Sequence, residues 1–94
     1  VRETFRRTVR IRNPLGLHPR AADRFVRAAK KYSCAVTVWN GDLKADGKDL
    51  WALIALIVMP EAEVLLELDG ADAPTALEAL ADILGDPSGE DYTI

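Results

Sequence analysis

The sequence predicts an α+β fold: a four-stranded antiparallel sheet with three helices on one side, in the order β-α-β-β-α-β-α. Three observations carry this. Short segments alternate polar and apolar residues with period two, the pattern of strands with one buried face. Between them lie apolar-periodic segments bracketed by capping residues, which mark amphipathic helices. Finally, Asn40-Gly41 joins two strand-like runs directly. Both residues tolerate positive φ, as a type I′ hairpin turn requires.

Taken in order, Phe5 to Arg12 places Val9 and Ile11 on one side and Arg6, Thr8, Arg10 and Arg12 on the other, so it reads as the first strand. Asn13-Pro14 and Gly16 break it. From Pro19 to Tyr32 the apolar positions Ala22, Phe25, Val26, Ala29 and Tyr32 recur at spacings of three and four, which gives the first helix. Ala35 to Trp39 is a β-branched strand, and Asp42 to Ala45 is its short return after the Asn-Gly turn. Asp46-Gly47 turns the chain again. Asp49 is placed to cap a second helix from Leu50 to about Val58, halted by Pro60. Glu63 to Leu68 forms the last strand. Asp72 then caps a third helix with Pro74 in its first turn, a stripe of Leu77, Leu80, Ala81 and Leu84, and Gly85 as its stop. Residues 1–85 are thus expected to form one domain, and 86–94 a mobile polar tail.

The chain has 94 residues, of which 49% are apolar and 29% charged, enough for one core and ordinary for a globular domain. Its longest apolar run, Leu50 to Pro60, is too short to span a bilayer. The opening Val-Arg-Glu-Thr-Phe-Arg-Arg lacks the hydrophobic stretch of a secretory signal. With a single cysteine, Cys34, no internal disulfide can form, and Cys34 reads as a small packing residue. A cytoplasmic monomer without metal or cofactor is the simplest expectation, since one His and one Cys far apart give no ligand spacing.

Charge is unevenly spread. Residues 1–31 hold ten of the twelve Lys and Arg against two acids, whereas residues 32–94 hold two bases and thirteen acids. Either the basic helix presents a cationic face that steers acidic or phosphorylated partners, or basic and acidic elements attract each other on folding. The net charge of −3 and the scattered aromatics count against nucleic-acid binding.

The only histidine, His18, stands where the Gly16 loop meets the first helix, with Arg20 two residues on. A solvated ring at a helix start is the plain reading of such a residue. Its surroundings suggest more. Gly16 permits a tight loop beneath the ring, and the unpaired amides and positive dipole at a helix start disfavour imidazolium. A neutral ring nitrogen is a nucleophile, and the same amides together with Arg20 suit a phosphoryl group once it is attached.

Gly-Leu-His-x-Arg followed by two small residues resembles the active-site motif of the HPr family, the histidine phosphocarriers of the bacterial phosphoenolpyruvate-dependent phosphotransferase system. Asn13, Phe25-Val26 and Asp46-Gly47-Lys48 fall where that family has similar residues, and the element order matches its open-faced β-sandwich. The resemblance covers Phe5 to Leu84. It implies that His18 accepts phosphate from enzyme I, at Nδ1 in the family, and passes it to IIA domains, with Arg20 stabilising the phosphoryl group. It implies a stoichiometric protein substrate and not a turnover enzyme. Gly16, Leu17, Arg24, Arg27, Leu50, Trp51 and Ile54 are the expected docking residues, with Leu53, Leu56 and Ile57 turned to the core.

This chain departs from the family pattern in two places. Ala21 stands where the family usually has Pro, and Pro19 follows the histidine instead, bringing no N–H to a phosphoryl group. Asp49 stands where many members carry a regulatory serine, so control by a serine kinase is expected to be absent. The rival expectation keeps the fold and drops the chemistry: a module that binds a kinase or transcription factor without phosphoryl transfer. Sequence leaves open whether the branch served is sugar uptake or nitrogen-type regulation.

Overall fold

Alternation along each strand decides which face of the sheet is buried, and the helices follow. In the computed structural model, which describes residues 3–86, the elements are β1 (Thr4–Arg10), α1 (Pro19–Ala29), β2 (Ala35–Asn40), β3 (Leu43–Asp46), α2 (Leu50–Ala55), β4 (Glu63–Asp69) and α3 (Ala73–Gly85). This is the expected β-α-β-β-α-β-α order. All strand pairs are antiparallel, in the spatial order β1-β4-β2-β3. The expected tail lies outside the described residues except for Asp86, whose carboxylate pairs with Arg24 at 3.4 Å.

β4 is central, and its Val64, Leu66 and Leu68 are buried between Val9 of β1 and Val36 and Val38 of β2. Phe25 of α1, Leu53 of α2 and Leu80 of α3 are fully buried in the same cluster. Each such side chain contributes roughly 1.5–3 kcal/mol on leaving water, which holds all three helices to one face. The other face stays open. There Arg6 and Arg10 of β1 meet their register partners Glu67 and Glu63 of β4 at 2.7 and 3.1 Å, and Trp39 Nε1 donates to Glu67 Oε1 at 3.2 Å. Arg7 reaches Glu78 of α3 at 2.9 Å. The basic excess of the first strand is therefore taken up by acids of later elements. Exposed pairs of this kind contribute at most about 1 kcal/mol each, so their main effect is on register.

Several elements differ from expectation. α1 ends at Ala29 and not Tyr32, and the hairpin turn is Gly41-Asp42, since Asn40 still pairs with Leu43 and only Gly41 of the turn takes positive φ. Ile11 leaves the sheet: its N–H donates to the Ala62 carbonyl at 2.8 Å and its carbonyl accepts the Glu61 N–H at 2.8 Å. β1 therefore ends at Arg10 and splices onto the loop before β4. α2 stops at Ala55, short of Val58. Its last turn tightens through Leu56 N–H to Leu53 O and Ile57 N–H to Ile54 O, and Asn40 Nδ2 caps the Leu56 carbonyl at 2.9 Å. Ile57 then adopts φ 50, which turns the chain so that Leu56 and Val58 are buried and Ile57 is left 73% exposed. Ile57 is therefore not a core residue. A β-branched side chain in that conformation costs of order 1–3 kcal/mol, and burial of its two neighbours holds it there.

Asp72 stands at the N-cap of α3, but its side chain makes no cap bond. Its carboxylate instead accepts Ser33 N–H at 2.8 Å, Ser33 Oγ–H at 3.3 Å and Cys34 N–H at 2.9 Å, tying the α1–β2 loop to the start of α3. These bonds, the Ser33 amide first, hold its carboxyl below the ordinary carboxylate range. Cys34 is buried, and burial first, then Asp72, pushes its thiol up. A carboxyl with a depressed pKa stabilises the fold at neutral pH and loses that contribution as pH falls through its folded value. Thermal melts should show Asp72→Ala below the wild type at pH 7, with the gap closing below about pH 4; a gap constant over that range would show that the charge is irrelevant.

Candidate functional site

The approach to His18 is built from backbone. Asn13, buried at 7% exposure, accepts the Leu15 N–H on Oδ1 at 2.9 Å, and its carbonyl accepts the Gly16 N–H at 2.9 Å, closing a turn. Gly16 completes the turn with φ 70. It also lies against the α2–β4 loop, where a methyl group would collide with the Val58 carbonyl and come within 3.2 Å of Met59 and Pro60. Leu17 is buried, and its N–H donates to that Val58 carbonyl at 3.0 Å.

His18 is therefore delivered to the surface in extended conformation as the N-cap of α1, with Pro19 as the first helical residue. Its carbonyl accepts the first helical bond, from Ala22 N–H at 2.9 Å. Its Nδ1 accepts the Arg20 N–H at 3.2 Å. That bond assigns the lone pair to Nδ1 and the proton of the neutral ring to Nε2. The ring is half-buried. Burial first, and the Arg20 charge second, hold its pKa below the ordinary 6.5. At neutral pH the site is an uncharged imidazole with its nucleophilic nitrogen facing a helix start.

The structure sorts the remaining expected residues. Gly16 and Leu17, expected to dock partners, lie beneath the surface and support the loop. Arg20 is exposed in the first turn. Arg24 pairs with Asp86, and Arg27 with Asp23 at 2.8 Å one turn back; nine residues of helix put Arg27 about 13 Å along the axis from His18. Trp51 is 76% exposed, whereas Leu50 and Ile54 are half-buried against the core. Asp49 caps α2 through Ala52 N–H at 3.2 Å. Sequence reasoning missed Leu15 and Met59, which are 60% and 62% exposed. Both stand on the two loops that touch at Gly16, and Ile57 joins them. Residues 56–59 alternate in burial like a strand, but all four are apolar, so no polar alternation in the sequence marks Ile57 and Met59 as outward. Among the described residues no group of three or more His, Cys, Asp or Glu is placed to hold a metal ion.

An open-faced four-stranded sheet with three helices on one face and a helix-capping histidine at its surface is an arrangement shared with a class of small phosphocarrier proteins. Comparison with known sequences and structures agrees. Residues 5–86 match the family described as PTS HPr component phosphorylation site. The phosphocarrier protein HPr of Neisseria meningitidis is 34% identical over 86 residues, covering 92% of this chain and 97% of that protein. The crystal structure of an HPr from Thermoanaerobacter tengcongensis superposes with a TM-score of 0.84 at 31% identity, over 88% of this chain and 93% of that one. A multiphosphoryl transfer protein of Xanthomonas campestris carries a matching segment, 34% identical over 71 residues and only 8% of its length. The chain belongs to the HPr family of phosphocarrier proteins of the phosphotransferase system.

Two measurements test this geometry. Forcing a Cβ onto positive φ costs about 1–2 kcal/mol, and at Gly41 (φ 62), where nothing lies within 4 Å, that is the whole effect. Gly41→Ala should therefore lower the melting temperature by a few degrees and Gly16→Ala by at least twice as much (1 kcal/mol is roughly 4–8 °C for a domain of this size); equal losses would mean the Val58 contact is immaterial. The His18 ring, followed by NMR, should titrate below 6.5. Arg20→Gln should bring it only part of the way back, because burial is the larger cause. The unfolded ring binds its proton at higher pH than the folded one, so stability should fall as pH drops below about 6.5 and level off beneath the folded pKa.

Proposed function

We propose that His18 accepts a phosphoryl group at Nδ1 from enzyme I and hands it to IIA domains, as a stoichiometric carrier in the cytoplasm and not a turnover enzyme. The observation that carries this reading is the Arg20 N–H on Nδ1 at 3.2 Å. It supports Nδ1 as the nitrogen whose lone pair would attack phosphorus, with a backbone donor close at hand for phosphoryl oxygens. In the transfer the lone pair forms the new N–P bond as the bond from phosphorus to the donor's nitrogen breaks. The donor nitrogen keeps that electron pair, and the proton on Nε2 stays in place, so no base is needed. The Arg20 guanidinium then faces a dianion, and the helix start adds its positive end.

Partner recognition is assigned to the apolar residues around this point: Trp51, with Leu15, Ile57 and Met59, supported from below by Leu50 and Ile54. A large indole exposed at 76% is a feature of interface centres. Arg20 and Arg24 supply charge at its rim, and Arg27 supplies it further along α1. Asp49 caps α2 and offers no hydroxyl, so this carrier works without serine phosphorylation at that point. The match to a segment of a multiphosphoryl transfer protein supports a role within a relay of carriers.

Incubation with enzyme I and phosphoenolpyruvate should yield one acid-labile, alkali-stable phosphate per chain. His18→Ala should abolish it, and Trp51→Ala should raise the KM for the chain about tenfold with kcat little changed. Binding of partners without any label on the wild type would favour instead a regulatory module that acts by contact alone.

A further inference from the structure

We infer that Pro19 limits how tightly this chain holds its phosphoryl group, making it a carrier of high transfer potential. The inference rests on reading His18 as the acceptor. An α-helix opens with backbone N–H groups that have no carbonyl behind them, and these converge on an anion placed off the helix end. In α1 the hydrogen-bond ladder starts with Ala22 N–H on the His18 carbonyl, so positions 19, 20 and 21 precede it. The Arg20 N–H already points at Nδ1, 3.2 Å away. Position 19, directly beside the histidine, is occupied by a residue with no N–H at all.

Formation of the N–P bond uses up the Nδ1 lone pair, and the Arg20 N–H then finds phosphoryl oxygens in place of nitrogen. Three oxygens carrying two charges face the two backbone donors of positions 20 and 21, where a helix start can offer three. No side chain makes up the difference at position 19 or 21, since Pro19 and Ala21 have no polar atoms to offer. The Arg20 guanidinium is exposed, where water competes for its donors. The phosphorylated state therefore lies higher than it would with any other residue at 19. Loading from the donor becomes less favourable, and onward transfer more favourable by the same factor, because both steps share that state. Pro19 has a conformational merit as a first helical residue, and that merit is separable: it acts on the helix alike in both states and cancels from the transfer equilibrium, whereas the missing donor acts only on the phosphorylated one.

The test compares the wild type with Pro19→Ala and Pro19→Ser, each of which restores the N–H. Phosphoramidate serves as the phosphoryl source because it needs no protein partner, and the Nδ1 species is identified by ³¹P and ¹⁵N NMR. In both variants the new amide proton of residue 19 should move strongly downfield on phosphorylation, alongside that of Arg20. Equal amounts of wild type and variant, equilibrated through a trace of enzyme I, should then share one phosphoryl pool roughly tenfold in favour of the variant, the ratio expected from one charge-assisted hydrogen bond. An amide at 19 that does not respond, or equal sharing of the pool, overturns the inference while leaving His18 as acceptor. If enzyme I labels none of the chains, the proposed donor is wrong, and the amide shift in the phosphoramidate product still decides the role of Pro19. If neither reagent forms an Nδ1 species, the inference falls together with the reading it rests on.

Discussion

The close approach of Gly16 and Leu17 to the Val58 carbonyl is the constraint on which the rest of this surface depends. β1 and β4 pair along their length, but their connections do not simply part at the sheet edge. Ile11 exchanges two backbone hydrogen bonds with Glu61 and Ala62, and Leu17 adds a third to Val58, so the loop before α1 and the loop before β4 are laced together. Only a residue without a Cβ fits at the crossing. The same bonds that aim His18 outward fix Val58 inward, and so leave Ile57 and Met59 outward beside it. The proposed acceptor nitrogen and the proposed contact surface would then be two consequences of one backbone arrangement. A change that loosens the crossing would disturb both together.

The features legible from sequence were those governed by near neighbours. Strand alternation and the caps by His18 and Asp49 each depend on residues within four positions and are found where the pattern put them. The hairpin turn falls one residue later than the Asn-Gly signal, at Gly41-Asp42, with Asn40 still paired to Leu43 and only Gly41 of the turn at positive φ. The features that escaped depend on distant donors and acceptors. Asp72 has the right type and position for a cap, yet Ser33 and Cys34, almost forty residues earlier, present three donors to its carboxylate. Asn40 marks the hairpin by its place before Gly41, but its side chain also stops α2 by bonding the Leu56 carbonyl. Ile57 looked like the next apolar turn of that helix. Its exposure follows from a backbone reversal that no local propensity favours.

Much the same distinction governs the site. His18, Gly16 and Arg20 could be singled out because glycine, histidine and arginine at this spacing have few structural reasons to occur together. Leu50 and Ile54 could not be assigned to surface or interior from periodicity, because a six-residue helix gives less than two turns of pattern to read, and Leu17 lies in the loop before α1, where there is no period to read. The charge imbalance was equally ambiguous in one dimension. In three, the arginines of β1 are matched by Glu63, Glu67 and Glu78, while those of α1 lie along the helix that carries the histidine. Folding pairs the arginines of β1 with acids of later elements, and on α1 it pairs Arg24 with Asp86 and Arg27 with Asp23, while Arg20 stands two residues from the histidine.

On the proposed reading, the Arg20 charge acts in opposite senses before and after phosphorylation. Beside a free imidazole, the Arg20 guanidinium repels a proton and so helps burial keep the ring neutral and nucleophilic. Beside a phosphoryl group, the same guanidinium attracts the dianion. The helix start behaves likewise, since its amides oppose imidazolium and favour phosphate. On the proposed reading, Arg20 and the helix start thus oppose protonation of the free ring and favour a phosphoryl group on it, whereas Pro19 contributes only to the shape of the helix. A carrier must both load and unload. With charge and dipole favouring loading, the one residue that withholds a donor pushes the balance toward release.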